Sequence, residues 1–192
     1  MISKKLYNIL ILLFLYSCAS VPVYNQVSSD YSDIGTISFA SSSISVQNDY
    51  NPLFEDPYID HLLSITPSER FLTWSESNIV GFGLENKLLI SLINASIKSS
   101  EVNIEKKIAG IIKKPNEIKY DLDYEVLYVI YDDSGNIIGK TKVKINRSTT
   151  SSSHISLAER DKIMDKLIYD GMEDLVKKSQ ESVKKHLGKF II

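Results

Sequence analysis

The stretch Lys119–Tyr131, KYDLDYEVLYVIY, decides the fold. Tyr120, Leu122, Tyr124, Val126, Tyr128 and Ile130 fall on one side of an extended chain. Lys119, Asp121, Asp123 and Glu125 begin the other. Strict period two with one apolar face predicts an antiparallel strand, buried on one side and wet on the other. DDSGN (Asp132–Asn136) supplies turn residues. The chain then returns with Lys140, Lys142 and Lys144 on one face and Thr141, Val143 and Ile145 on the other. Acids on one strand facing lysines on the next predict a hairpin laced by cross-strand pairs, each worth about 0.2–1 kcal/mol. Pairing Asp123 with Lys144 and Glu125 with Lys142 leaves the four-residue loop Asp132–Gly135, and a bulge at Gly139 would shift that register.

Working outward, LLISLINASI (Leu88–Ile97) is apolar at most positions and belongs in the centre of a sheet. Ile34–Val46, rich in β-formers, reads as a first strand. Asn48–Ile65, with Pro52, Pro57, Tyr50, Phe54 and Tyr58, reads as a loop packed over an edge of the core. Thr66-Pro-Ser-Glu69 opens a helix: Thr66 caps, Pro67 suits the first turn and Glu69 completes a capping box. Phe71, Leu72, Trp74 and Ile79 form its apolar stripe, and Gly81 and Gly83 are expected to stop it. Lys106–Asn116 reads as a basic connection with Gly110 and Pro115, and Arg147–His154 as a Ser/Thr-rich loop. Ser156 and Glu159 form a second capping box before a long amphipathic helix, Leu157–Leu187. Gly171, mid-helix, is expected to let that helix approach the sheet closely. The order strand-helix-strand-strand-strand-helix predicts an α+β fold: an antiparallel sheet of about four strands with two helices packed on one face.

Composition narrows the function classes. Of 192 residues, 43% are hydrophobic and 24% charged, which is globular, and a net charge of -2 offers no basic footprint for nucleic acid. The single cysteine excludes an intramolecular disulfide and a zinc site of several thiolates. That cysteine, Cys18, follows Lys4, Lys5 and the apolar run Leu6–Tyr16, which has the length of a signal-peptide core and is too short to span a bilayer. Leu15-Tyr16-Ser17-Cys18 resembles the bacterial lipobox, with Tyr16 bulkier than the usual residue at its place. The resemblance implies cleavage before Cys18, a diacylglyceryl thioether on its sulfur and an acylated amine. Residues 1–17 are then a signal peptide, 18–33 a lipidated tether of roughly 20 Å, and 34–192 one periplasmic domain. Ala19 in place of Asp implies the outer membrane, periplasmic face, with the inner membrane as the alternative.

No catalytic constellation is legible. His61, His154 and His186 lie far apart, and HExxH, GxSxG and P-loop patterns are absent. No metal site, cofactor or enzymatic activity is expected. Asp121, Asp123 and Glu125 read as a solvated charge ladder. The tyrosines Tyr120, Tyr124 and Tyr128 read as core facing the helices, with any exposed part a partner surface. Lys177, Lys178, Lys184 and Lys185 form a basic stretch open to solvent, to a partner or to acidic headgroups.

A lipobox, a short tether and this element order resemble, in topology, small periplasm-facing accessory lipoproteins: the LptE-like lipopolysaccharide-assembly lipoproteins and the auxiliary lipoproteins of ABC-type envelope transport systems. Asp56-Pro-Tyr-Ile-Asp-His-Leu-Leu63 with Thr66-Pro-Ser-Glu69 and Trp74 is similar to uncharacterised alphaproteobacterial lipoproteins. The resemblance implies a non-enzymatic accessory in envelope assembly or lipid transport, held to a membrane through Cys18 and working with another envelope protein. The alternative is a lipid- or small-ligand-binding lipoprotein.

Overall fold

Tyr120, Leu122, Tyr124, Val126, Tyr128 and Ile130 are all buried, so the alternating strand presents its apolar face to the core as its pattern requires. The computed structural model describes residues 31–103, 106–108, 111–113 and 116–192. Cys18, its lipobox, residues 19–30, Gly110 and Pro115 lie outside the described residues. The elements are β1 (Ile37–Phe39), β2 (Ser43–Asn48), α1 (Pro67–Asn78), β3 (Ile79–Gly81), β4 (Lys87–Asn103), β5 (Lys106–Ile108), β6 (Ile111–Lys113), β7 (Asn116–Tyr131), β8 (Ile137–Ser152) and α2 (Leu157–His186). Four strands form the main sheet in the order β2-β4-β7-β8. Tyr124 Oη donates to the Pro67 carbonyl of α1 at 2.8 Å, and Tyr128 Oη donates to Ser179 Oγ of α2 at 3.0 Å. Both helices therefore cover one face, and the fold is α+β.

The sheet is mixed rather than antiparallel throughout. β4, β7 and β8 pair antiparallel, but β2 lies parallel to β4. The reason is the helix between them: two neighbouring strands joined by a crossover run the same way. The first expected strand also divides. β1 pairs in parallel with β3 in a separate two-stranded sheet, and β2 with β4. Together these form one parallel ribbon broken at a corner, residues 40–42 on one side and 82–86 on the other.

Gly81 and Gly83 belong to this corner and do not end α1. The helix closes at Asn78, where Ile79 turns extended (φ -106°, ψ 116°) and enters β3. A Cβ on Gly83 would lie 2.4 Å from the Ala40 carbonyl carbon, and one on Gly81 2.8 Å from the Ser41 oxygen. Backbone meets backbone there, so a side chain has no room.

The hairpin registers two residues from the expected pairing. Glu125 faces Lys144 and Asp123 faces Asn146, with a bulge between Ile130 and Tyr131 against Ile137–Gly139. The shift by two keeps every side chain on its face. Arg147–Ser152 continue β8 instead of looping out, because Glu117–Leu122 of β7 offer them a strand edge. The basic connection holds the short antiparallel pair β5–β6. The loop after β2 packs only in part: Tyr58 bridges Lys98 and Tyr50 Oη donates to Asp60 at 2.9 Å, while Leu53, Phe54 and Leu62 stay exposed instead of covering the core edge.

Both capping boxes form, Thr66 with Glu69 and Ser156 with Glu159, each cap worth about 1 kcal/mol. Gly171 sits against the sheet, where a Cβ would meet Leu122 Cδ2 at 2.4 Å. Leu122 is itself fully buried, so overpacking outweighs the gain in helix propensity. Gly171→Val is expected to cost about 2 kcal/mol in a urea unfolding midpoint series. An unchanged midpoint would mean that the helix stands off the sheet.

Tyr31–Ile34, expected to belong to the tether up to Asp33, form a 3-10 turn whose Tyr31 packs into the body. Tyr31 is buried in a single 3-10 turn, its hydroxyl accepting from Arg70 Nη1 at 2.6 Å and its carbonyl from Asn78 Nδ2 at 3.1 Å. Arg70 also pairs with Asp165 of α2. At the other end the chain returns to β1, where Ala40 N donates to the Phe190 carbonyl at 2.8 Å and Phe39 bridges Ile191.

Candidate functional site

Tyr120, Tyr124 and Tyr128 are buried in the core, so their side chains are not presented at the surface. Burial pushes the Tyr124 hydroxyl well above its ordinary pKa and the Tyr128 hydroxyl up to about 12, so both stay protonated donors. Lys177, Lys178, Lys184 and Lys185 are exposed. Their seven-residue repeat, 177 to 184 and 178 to 185, sets them in two rows about 100° apart, together a broad basic stripe on the solvent side of α2. Lys178 Nζ donates to the Lys144 carbonyl on β8 at 2.7 Å and so covers part of a sheet edge.

Two clefts adjoin this stripe. One, of about 460 Å³, lies between β1 and the end of α2 and is lined by Ile37, Ile191, Ile192, Gln180 and Lys184 among others. Gln180 Nε2 closes one wall by donating to the Thr36 carbonyl at 3.1 Å. Its lining combines three isoleucines with Thr36, Ser38, Gln180 and the Lys184 ammonium, a mixed set that suits an amphiphile with an anionic end. The second, about 500 Å³, runs beside β8 along Leu127, Lys140, Thr141, Lys142 and His186. The sequence pattern did not expose the first cleft, because three short segments far apart in the chain build it.

Of the acidic ladder only Glu125 pairs with the lysines of the return strand; Asp121 pairs within β7 and Asp123 lies toward Lys98 of β4. Glu125 binds Lys142 at 2.6 Å and Lys144 at 2.7 Å, Asp121 binds Lys119 at 2.6 Å, and Asp123 lies 3.8 Å from Lys98. Hydrogen bonds from Lys142 and then Lys144 hold the Glu125 carboxyl below its usual range. The Ser156 backbone does the same for Glu159, and the Asn136 side chain for Asp132. A depressed carboxylate stabilises the fold above its unfolded pKa, and that contribution fades as pH falls through the folded value. Melting temperature is therefore expected to hold between about pH 7 and 5 and to decline below about pH 4.5. Glu125→Gln should flatten part of the decline; a full slope in that variant would remove the ladder from the account.

His61 lies beside Phe54 (5.1 Å between rings), His154 follows β8 and His186 ends α2, so the structure does not bring the histidines together. Among the described residues no group of three or more His, Cys, Asp or Glu is placed to hold a metal ion. No described helix is long and apolar enough to cross a membrane.

No protein-family model and no curated protein matches the chain. Among solved structures the chain is similar to a minor lipoprotein from Acinetobacter baumannii, at 11% identity and a TM-score of 0.36, over 78% of this chain and 93% of that one. It is also similar to a neuraminyllactose-binding hemagglutinin homolog from Helicobacter pylori, at 13% identity and a TM-score of 0.39, over 81% of this chain and 90% of that one.

Proposed function

We propose that this chain is a lipid-anchored, periplasm-facing lipoprotein that acts as a non-enzymatic accessory in envelope assembly or lipid transport. The observation that carries the reading is the sole cysteine, Cys18, set directly after Leu15-Tyr16-Ser17 and the apolar run Leu6–Tyr16. Several acyl chains at about 0.8 kcal/mol per buried methylene would hold the body on a membrane permanently. Ala19 favours the outer membrane under the sorting rule that the lipobox resemblance brings with it.

The test compares the native chain with Cys18→Ser. Acyl mass on the native N-terminus, flotation with outer-membrane vesicles and release of the variant are the expected results. Equal release of both, unacylated, would discard the anchor. A stable envelope partner should be recovered by mild crosslinking, and a clean monomer would count against the accessory role.

The cleft between β1 and α2 favours a second reading, a lipoprotein that carries a lipid or small amphiphile. Native mass spectrometry should then find a bound molecule, lost in Lys184→Glu. Bare protein from gently solubilised membranes would rule the carrier out.

A further inference from the structure

One end of the sheet carries an apolar tip that the fold itself leaves bare. Lys87 pairs with Tyr131, and Tyr131 with Ile137, so the corner 82–86 and the β7–β8 turn stand side by side at that end. Leu84 is 97% exposed, Phe82 68%, Ile137 57% and Ile138 43%. Scattered exposed apolar residues are ordinary, but four large ones at one end of the sheet, Phe82 and Leu84 on the corner and Ile137 and Ile138 at the start of β8, form a patch. The loops bear Glu85, Asp132 and Asp133, and the rim bears Lys87, Lys140 and Lys189, three charges of each sign. Net charge thus gives no pull toward an acidic partner, and adhesion has to come from apolar contact.

We propose that this tip rests in the surface of the lipid bilayer, an inference that builds on the lipid-anchor reading. Thirteen peptide steps separate Cys18 from Tyr31, a reach of at most about 45 Å. That is about the length of the 30-residue helix α2. A lipid on Cys18 would therefore keep the body within its own length of the membrane and raise the effective concentration of the tip at its surface. Seating the tip sets the orientation. The far ends of β4 and β7, Asn103 and Asn116, then stand roughly 55 Å from the bilayer, the length of a 17-residue strand.

The test uses the full chain reconstituted in phosphatidylcholine vesicles, with and without brominated acyl chains. Leu84→Trp places a reporter on the tip, and Asp161→Trp places one near the start of α2. Trp74 is buried in both and gives a constant background. The expected result is a blue-shifted tip emission, largely quenched by bromine and indifferent to added anionic lipid, with the Asp161→Trp emission unchanged. A tip reporter that stays solvent-exposed overturns the proposal. A blue shift without quenching also overturns it, because a second copy of the chain then covers the patch instead of lipid. The mass of the N-terminus is read on the same sample. An acylated, vesicle-bound chain with a wet tip removes this inference alone, whereas a chain with no acyl mass removes the anchor reading.

Discussion

Trp74→Ala is expected to destabilise the body by about 3–5 kcal/mol, the range for losing a buried aromatic together with the cavity it leaves. Trp74 is 1% exposed in the centre of α1, its ring 6.0 Å from the equally buried Phe71. Its Nε1 donates to the Gly35 carbonyl at 3.3 Å and so holds the segment that enters β1. The cavity cannot collapse easily, because α1 is held at its start by Tyr124 on Pro67 and at its end by β3. For a body of this size the loss lowers the melting temperature by roughly 6–20 °C, read by circular dichroism. Trp74→Phe keeps most of the volume and should cost about 1–2 kcal/mol, including the unpaired Gly35 carbonyl. A fall below about 1 kcal/mol for the alanine variant would show that α1 packs more loosely than these contacts imply.

Arg70→Ala should be the next most damaging change, at about 3 kcal/mol. Arg70 is buried where three parts of the chain meet: Tyr31, α1 and Asp165 of α2. Its removal strands a carboxylate and a buried hydroxyl. The Asp165 side chain is 32% exposed, so water recovers part of the loss, and the effect sits at the lower end of the range for broken buried pairs. The change also releases the Tyr31–Ile34 turn, and limited proteolysis should cut there first. Tyr31→Phe removes only the hydroxyl and should cost about 1 kcal/mol with the turn still protected. Equal protease resistance in wild type and Arg70→Ala would show that the entry segment is held elsewhere.

The parts of this fold legible in the sequence are those set by neighbours in the chain. Alternation from Tyr120 onward depends only on the pleat, and burial follows it as far as Tyr128; Val129, on the opposite face, is buried as well. The two capping boxes are satisfied within four residues and form where they are written. Register was less legible, because shifts of two residues keep the same faces and the same alternation of charge. The bulge at the hairpin end, a backbone event, selected Glu125 opposite Lys144.

For the candidate surfaces the division runs the same way. Cys18 stands out from its local run alone, since recognition of a lipobox reads consecutive residues. The cleft of Ile37, Lys184 and Ile191 and the bare tip of Phe82, Leu84, Ile137 and Ile138 have no local signature. Residues 81–83 show the limit most clearly: glycine after a helix reads as a stop, yet the demand for glycine came from the Ala40–Ser41 backbone across the corner. Strand faces, both helix starts and the cysteine at the end of the apolar run can be read from consecutive residues, because period, cap and motif are local physics. The tertiary structure alone decided the parallel ribbon, the register and which apolar residues stay in water, because those depend on close approach between segments distant in the chain.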